Sequence, residues 1–337
     1  MNSIYKNLRE SIAARLRTHF RDKEQSEDFA YAMVQMLKIP VQQARDLARE
    51  GAAQRAHINK LPEARNSARA LAALRKMNVP LDVSRTLSML DAHAGNSYLL
   101  ALPFSASAMS LIAHLVNDTR RRFCIVDTRF TRYYFHPFVK NTETHERVEL
   151  LAPPAMLKHN RARLEQSADD VVTYVTFPDL ESTSLDTARR VRFLGEDYQF
   201  STLEPLLFFR GLAPLLTFDA TDFAATRKVQ LIAFPPTNVS AVTEKDVDAL
   251  LAWLAKHMEQ VFREVPGDVL SWAETRMLAY SMKATTAVMK LKMVEGYVRA
   301  WKTADPAFND ESFARSIAEL QKAQETIDKE RLAAIGN

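Results

Sequence analysis

From about residue 84 to residue 234 the chain alternates short β-prone runs with helical stretches, and few folds accept that order. "RTLSML" (85–90) is followed by a helical stretch at 104–117, "RFCIVD" (122–127) by one at 154–168, and "DVVTYVTF" (170–177) by one at 201–211. "APLLTF" (213–218) and "KVQLIAF" (228–234) complete the series. Strands joined by helical connections predict an α/β fold: a mixed, largely parallel central sheet flanked by helices. Residues 1–75 read as helices broken near Pro40 and Pro62, and after Thr243 the pattern is helical again. "TEKDVDALLAWLAKHMEQVFREV" opens on a Thr N-cap and stops before Pro266. Residues 268–303 and 310–334 read as two further helices around "ADPAFND". The expected organisation is a helical N-terminal region (1–75), an α/β domain (76–280) and a C-terminal helical extension (281–337).

A 337-residue chain that is 47% hydrophobic can bury a real core. Its net charge of +4 is too small to argue nucleic-acid binding. The single cysteine, Cys124, excludes an internal disulfide, points to a reducing compartment, and in "FCIV" reads as a small core residue. Ile4, Leu8, Ile12, Leu16 and Phe20 repeat every four residues, with Lys6, Arg9, Arg15, Arg17 and Arg21 off that line. This is a basic amphipathic helix rather than a secretory signal, suited to packing on its own domain or lying on a membrane. Residues 97–116 carry no formal charge but contain Pro103, four serines and His114, which predicts a buried helix beginning near Pro103 rather than a membrane span. There is no G-x-G-x-x-G, Walker loop, paired C-x-x-C or H-E-x-x-H, so nucleotide, structural-zinc and zincin readings lack their motifs, and no metal or other cofactor is expected. Arg120, Arg121 and Arg122 read as a solvated helix end.

The ends of the β-prone runs carry the chemistry-bearing residues. "RTLSML" runs into Asp91 and His93, "RFCIV" into Asp127 and Arg129, and "VVTYVTF" into Pro178 and Asp179. Ligands of open parallel sheets bind outside the carboxyl ends of the strands, so His93, Arg129 and Asp179 are expected to line one site. Taken singly, each has a plain structural use: a cap, a salt bridge, a turn.

At these residues the sequence resembles the lysophospholipid-acyltransferase-like superfamily, in particular the bacterial lipid A late acyltransferases. Members carry a His-x-Gly-Asn-x-Glu motif after a strand, here His93-Ala94-Gly95-Asn96-Ser97-Tyr98. The arginine that follows their next strand is matched by Arg129, and the aspartate of a later strand by Asp179 in "TFPD". "VRFLG" (191–195), "FSTLEPLLFFRGLAPLL" (200–216) and "VFREVPGDVLSWAETR" (261–276) are similar to later family segments in the same order. The likeness covers roughly residues 75–280, and three of the seven glycines, Gly95, Gly195 and Gly211, fall at motif positions. Two departures stand out: the motif acid is Tyr98, and the family's N-terminal transmembrane anchor has only the basic helix 1–21 in its place.

The resemblance implies transfer of a fatty acyl group from a thioester of acyl carrier protein or coenzyme A, the donor substrates, to a hydroxyl or amine. His93 would be the general base. Arg129 would bind acceptor charge or the developing oxyanion, and Asp179 would orient the acceptor or assist the base. Gly95, Asn96, Tyr98 and Asp127 would line the substrate site. With Tyr98 in place of the acid, three explanations stand: Asp91, Asp127 or Asp179 substitutes; the acceptor needs less help; or the fold is kept without catalysis. In that last case the protein binds acyl chains or a protein partner. The segment 99–116 and a helix bearing Met277, Met282, Met289 and Met293 are candidates for the acyl slot. Lys283, Lys290, Lys292, Arg299 and Lys302 could face an acidic carrier protein. The expected location is cytoplasmic, with peripheral contact to the inner membrane.

Overall fold

Four of the parallel strands are almost wholly apolar and buried, as strands covered on both faces must be. The structure, a computed structural model, describes residues 29–58, 72–75, 77–93, 95–116, 121–139, 147–165, 171–180, 188–211, 214–235 and 242–272. The basic helix 1–21, the methionine-bearing helix, the lysine-rich face and the extension 281–337 lie outside the described residues.

Helices α1 (Val41–Glu50), α2 (Ala52–Ile58) and α3 (Val83–Asp91) precede β1 (Tyr98–Ala101). There follow α4 (Ala106–Leu115), β2 (Arg122–Val126), α5 (Arg129–Val139), β3 (Val148–Leu151), α6 (Pro153–Glu165) and β4 (Val172–Thr176). A hairpin of β5 (Ala188–Phe193) and β6 (Glu196–Ser201) leads through α7 (Leu203–Phe209) to β7 (Leu215–Asp219). α8 (Phe223–Thr226), β8 (Gln230–Ala233) and α9 (Glu244–Glu264) complete the described core. The main sheet has six strands in the order β3-β2-β4-β1-β7-β8, with every neighbouring pair parallel except β7 and β8. The expected α/β class, a mostly parallel mixed sheet with flanking helices, is what the chain adopts.

Local chemistry accounts for the elements. α9 starts at the expected Thr243, whose hydroxyl accepts from the Asp246 N–H while the Asp246 carboxylate accepts from the Thr243 N–H at 2.8 Å, a reciprocal cap. Leu250, Leu254, Val261 and the neighbours Leu251, Met258 and Phe262 then form its buried stripe. α4 is capped by the Ser105 hydroxyl, which accepts from the Ala108 N–H at 3.1 Å, and is buried nearly all round. The uncharged segment 97–116 therefore holds the expected buried helix, which starts three residues after Pro103 and is preceded by β1. Among the described residues no helix is long and apolar enough to cross a membrane.

"RTLSML" is not a strand but the body of α3. Asp82 caps it by accepting the Arg85 N–H, and Val83, Thr86, Leu87 and Leu90 recur at helical spacing. The six-residue run hid a period that a longer window shows. Strands β1, β3, β5 and β6 and helix α5 were not anticipated. The β5–β6 loop is two residues, Leu194 and Gly195, both with positive φ (52° and 80°), the conformation that matches a hairpin's twist. Leu194 tolerates it because its N–H donates to Glu259 on α9 at 2.9 Å. Replacing Gly195 with alanine is expected to cost about 1–2 kcal/mol, read by urea denaturation, because a Cβ opposes the left-handed backbone.

Candidate functional site

His93 does not stand where a strand ends. It lies in the turn between α3 and β1, at the amino edge of the sheet. Arg121 organises that turn. Its Nη2 donates to the His93 carbonyl at 3.0 Å and its Nη1 to the Asn96 carbonyl at 3.2 Å, while the guanidinium sits 4.1 Å from the Tyr98 ring centroid. Arg121 is 4% exposed, so the arginine run is not simply a solvated helix end. Tyr98 is fully buried at the start of β1 and belongs to the core rather than to a substrate site. Gly95 and Asn96 are exposed, and a Cβ on Gly95 would meet nothing within 4 Å, so no close backbone approach explains that glycine. Asp91, at the end of α3, is exposed on the same edge.

Asp127, Arg129 and Asp179 lie at the other end, the carboxyl edge. β1 separates the two groups by four residues, about 13 Å of strand. The expected imidazole–guanidinium–carboxylate site is therefore not brought together. Asp127 follows β2 and pairs with Arg132 through two hydrogen bonds, 3.0 Å to Nε and 2.5 Å to Nη2. Arg129 opens α5 just beyond it.

Asp179 is fully buried after β4, and the protein itself engages its carboxylate. The Phe104 N–H donates to both oxygens, at 3.0 and 2.9 Å, and the Ser271 hydroxyl donates to Oδ2. Its backbone carbonyl accepts from the Tyr198 hydroxyl at 3.2 Å. A second buried acid, Asp268, accepts from the Ser107 N–H at 3.2 and 3.3 Å, in the first turn of α4. Burial pushes the Asp268 carboxyl up to about 6, against the opposing pull of the Ser107 and Ser105 groups. Phe104, whose N–H meets Asp179, also carries a buried ring. It packs edge-on to Phe177 at 5.2 Å and against Tyr134 at 5.7 Å and Phe130 at 6.3 Å.

Among the described residues the edge has an opening. β2 leads outward to β3, whereas β4, its neighbour, leads the other way past β1 to β7. Connections that diverge from adjacent strands leave a crevice, the usual ligand position in open α/β sheets. Asp127, Thr128, Thr176, Pro178, Ser201 and Glu204 line it here, around a space of about 20 Å³. That space holds a water molecule, not an acyl tail. Glu204, on α7, is the group that sequence reading missed, because "STLEPLL" reads as an ordinary first-turn glutamate. It is 2% exposed, and its Oε2 has no hydrogen-bond partner among the described residues. Burial pushes its carboxyl up to about 7, outweighing its own backbone N–H and the nearby Thr176 hydroxyl.

The imidazole–carboxylate pair sought at His93 occurs elsewhere. His257 of α9 meets Asp219, the last residue of β7, at 3.3 Å. Burial alone would raise the Asp219 carboxyl, but the Thr221 hydroxyl (2.6 Å), the Thr221 N–H (3.2 Å) and His257 together hold it below its usual range. Both side chains are under 10% exposed and Trp253 lies 4.6 Å from the His257 ring, so the pair fastens α9 to the sheet. Thirty-eight residues separate the two in sequence, and no local spacing announces them. Burial, and then Glu149, push the Cys124 thiol up to about 12, so it is no nucleophile near neutral pH.

A larger cavity of about 550 Å³ lies between α1, α8 and the segment after α9; Glu50, Gln54, Arg227, Lys228 and Glu264 contribute charge and polarity to its wall. Searched against family models, the chain matches none, and no curated protein matches it.

Three outcomes follow from this geometry. Asp179→Asn is expected to lose about 2–3 kcal/mol in urea denaturation, since one acceptor facing the Phe104 N–H becomes a donor. His93→Ala is expected to change stability by about 0.5 kcal/mol or less. The third outcome concerns pH. Folded Glu204 keeps a proton that the unfolded chain releases near its ordinary carboxyl range, so the stability it contributes is present at low pH and lost as pH rises through about 7. Between about pH 5 and pH 8 the wild type should therefore lose more stability than Glu204→Gln, by up to about 3 kcal/mol. Equal slopes in the two proteins would contradict that role of burial.

Proposed function

We propose that this chain is a non-catalytic protein built on an acyltransferase-like α/β scaffold, one that binds a protein partner rather than transferring an acyl group with His93. The observation that carries this reading is the occupied edge beside Asp179. Both carboxylate oxygens are engaged by the chain, through the Phe104 N–H and the Ser271 hydroxyl, and the residue is fully buried. His93, the sequence's candidate base, belongs to the opposite edge. Binding of an acyl chain has less support among the described residues. The crevice is water-sized, the apolar space among Leu74, Ile112 and Phe138 is too tight even for a water molecule, and the larger cavity is charged. A protein partner fits the aromatic outer side of α5, where Tyr133 is 49% exposed and Phe130 and Tyr134 are half-buried. Acyl carrier protein is the first partner to test, since acyl thioesters on it are the donors that the sequence resemblance implies.

One observation favours a second reading. Glu204 is a carboxyl poised near neutrality at a switch-point crevice, which suits a general acid or base. Acyl transfer assisted by Glu204 instead of His93 would leave the scaffold's chemistry intact with a different base.

Incubation of the full chain with acyl-carrier-protein and acyl-CoA thioesters, followed by release of free thiol, separates the readings. The expected result is no turnover above the uncatalysed rate, together with carrier-protein binding that Tyr133→Ala weakens about tenfold or more. Turnover abolished by Glu204→Gln establishes the second reading. Turnover abolished by His93→Ala, with the fold retained, overturns both.

A further inference from the structure

We propose that Cys124, Glu149 and His159 form a binding site for a zinc-like divalent cation on the face of the sheet covered by α6, apart from the carboxyl-edge crevice. Three different elements supply the three ligand types. Cys124 on β2 lies directly opposite Glu149 on β3, and His159 of α6 sits over both. One potential ligand atom from each of the three lies within 4.8 Å of the others. The Cys124 Sγ is 3.8 Å from the His159 Nδ1. Sulfur and nitrogen sharing a tetrahedral zinc at the usual bond lengths stand about 3.6 Å apart. Closing the cluster on a metal therefore asks for small side-chain adjustments, not movement of the sheet.

The surroundings suit an inner ligand set. Arg122 donates to the Glu149 Oε1 at 2.9 Å, orienting the carboxylate. The Tyr174 hydroxyl, on the strand at the other side of β2, hydrogen-bonds the same His159 nitrogen at 2.8 Å and fixes the ring. Metal entry exchanges that bond for coordination. Cys124 is buried while Glu149 and His159 are half-buried, so the cluster has a wall of protein on one side and a route from solvent on the other. A water can complete a fourth position.

Arg122 and Arg163 stand near the cluster and oppose any cation. A site in such a field is held by its sulfur bond rather than by net charge. That selects a metal that takes thiolate, such as zinc or cobalt, over magnesium or calcium. A coordinating thiol loses its proton outright, so the burial that keeps Cys124 protonated without metal does not bar the ion. Sequence reading found no zinc motif because the ligands come from residues 25 and 10 positions apart on separate elements, brought together only by strand register.

Cobalt(II) titration of the metal-free full chain tests the site. Cys124 is the chain's single cysteine, so a thiolate-to-cobalt absorption band can come from nowhere else. One equivalent of cobalt should produce that near-ultraviolet band with tetrahedral visible bands, and zinc should remove both. Cys124→Ser should abolish the near-ultraviolet band, while Glu149→Gln and His159→Asn should weaken binding about tenfold or more. Absence of the thiolate band in the wild type under excess cobalt overturns the proposal. So does cobalt affinity unchanged in folded Glu149→Gln, a half-buried position that keeps the test valid if Cys124→Ser does not fold.

Discussion

The β1–α4 loop is held by two buried carboxylates, and the rest of the carboxyl edge is arranged around that grip. Asp179 comes from the end of β4 and takes the Phe104 N–H; Asp268 comes from beyond α9 and takes the Ser107 N–H. These amides border or open the first turn of α4, where the chain cannot satisfy them itself and where negative charge is favoured. Backbone bonds extend the same seam: the Leu270 N–H donates to the Phe104 carbonyl and the Ala106 N–H to the Asp268 carbonyl, both at 2.9 Å. Trp272, fully buried, packs on Phe262 of α9 at 4.9 Å and donates to the Pro266 carbonyl at 2.8 Å. Residues far apart in sequence thus converge on one four-residue loop.

That arrangement decides how the edge can work. A carboxylate that accepts three hydrogen bonds from its own chain, with no solvent exposure, is a clamp. It is poorly placed to steer an imidazole, and His93 lies at the other edge of the sheet. Glu204 and Thr176, which line the crevice where β2 and β4 diverge, each keep a buried oxygen with no hydrogen-bond partner among the described residues. The exposed Tyr133 and the half-buried Phe130 and Tyr134 of α5 flank the same region. The edge keeps the ligand position of an open α/β sheet but fills most of it with packing.

Much of the architecture could be read from residue order. β2, β4, β7 and β8 are short, strongly apolar runs with clear boundaries, and α9 announces itself through Thr243, Asp246 and a helical stripe. β1 did not, because "SYLLAL" runs without charge into the apolar residues of α4 and no turn residue but Pro103 divides them. α3 resembles a strand over "RTLSML" because six residues, Arg85 and then Thr, Leu, Ser, Met and Leu, satisfy either period. Reading it as a strand carries His93 to the wrong edge, since a motif expected after a strand in fact precedes one. The pairs that matter most, Asp179 with Phe104, Asp268 with Ser107 and Asp219 with His257, join residues 75, 161 and 38 positions apart. Periodicity and capping signals act over a turn or two, so contacts of that kind become visible only once the sheet order is known.

Hydrogen exchange of the Phe104 and Ser107 amides addresses the clamp most directly. If the two carboxylates hold the loop as part of the cooperative core, both amides exchange only through global unfolding, with protection matching that of β1 and β4. Rapid exchange at Phe104 and Ser107, while the flanking strands stay protected, would show the loop free of Asp179 and Asp268 and return Asp179 to the candidates for chemistry.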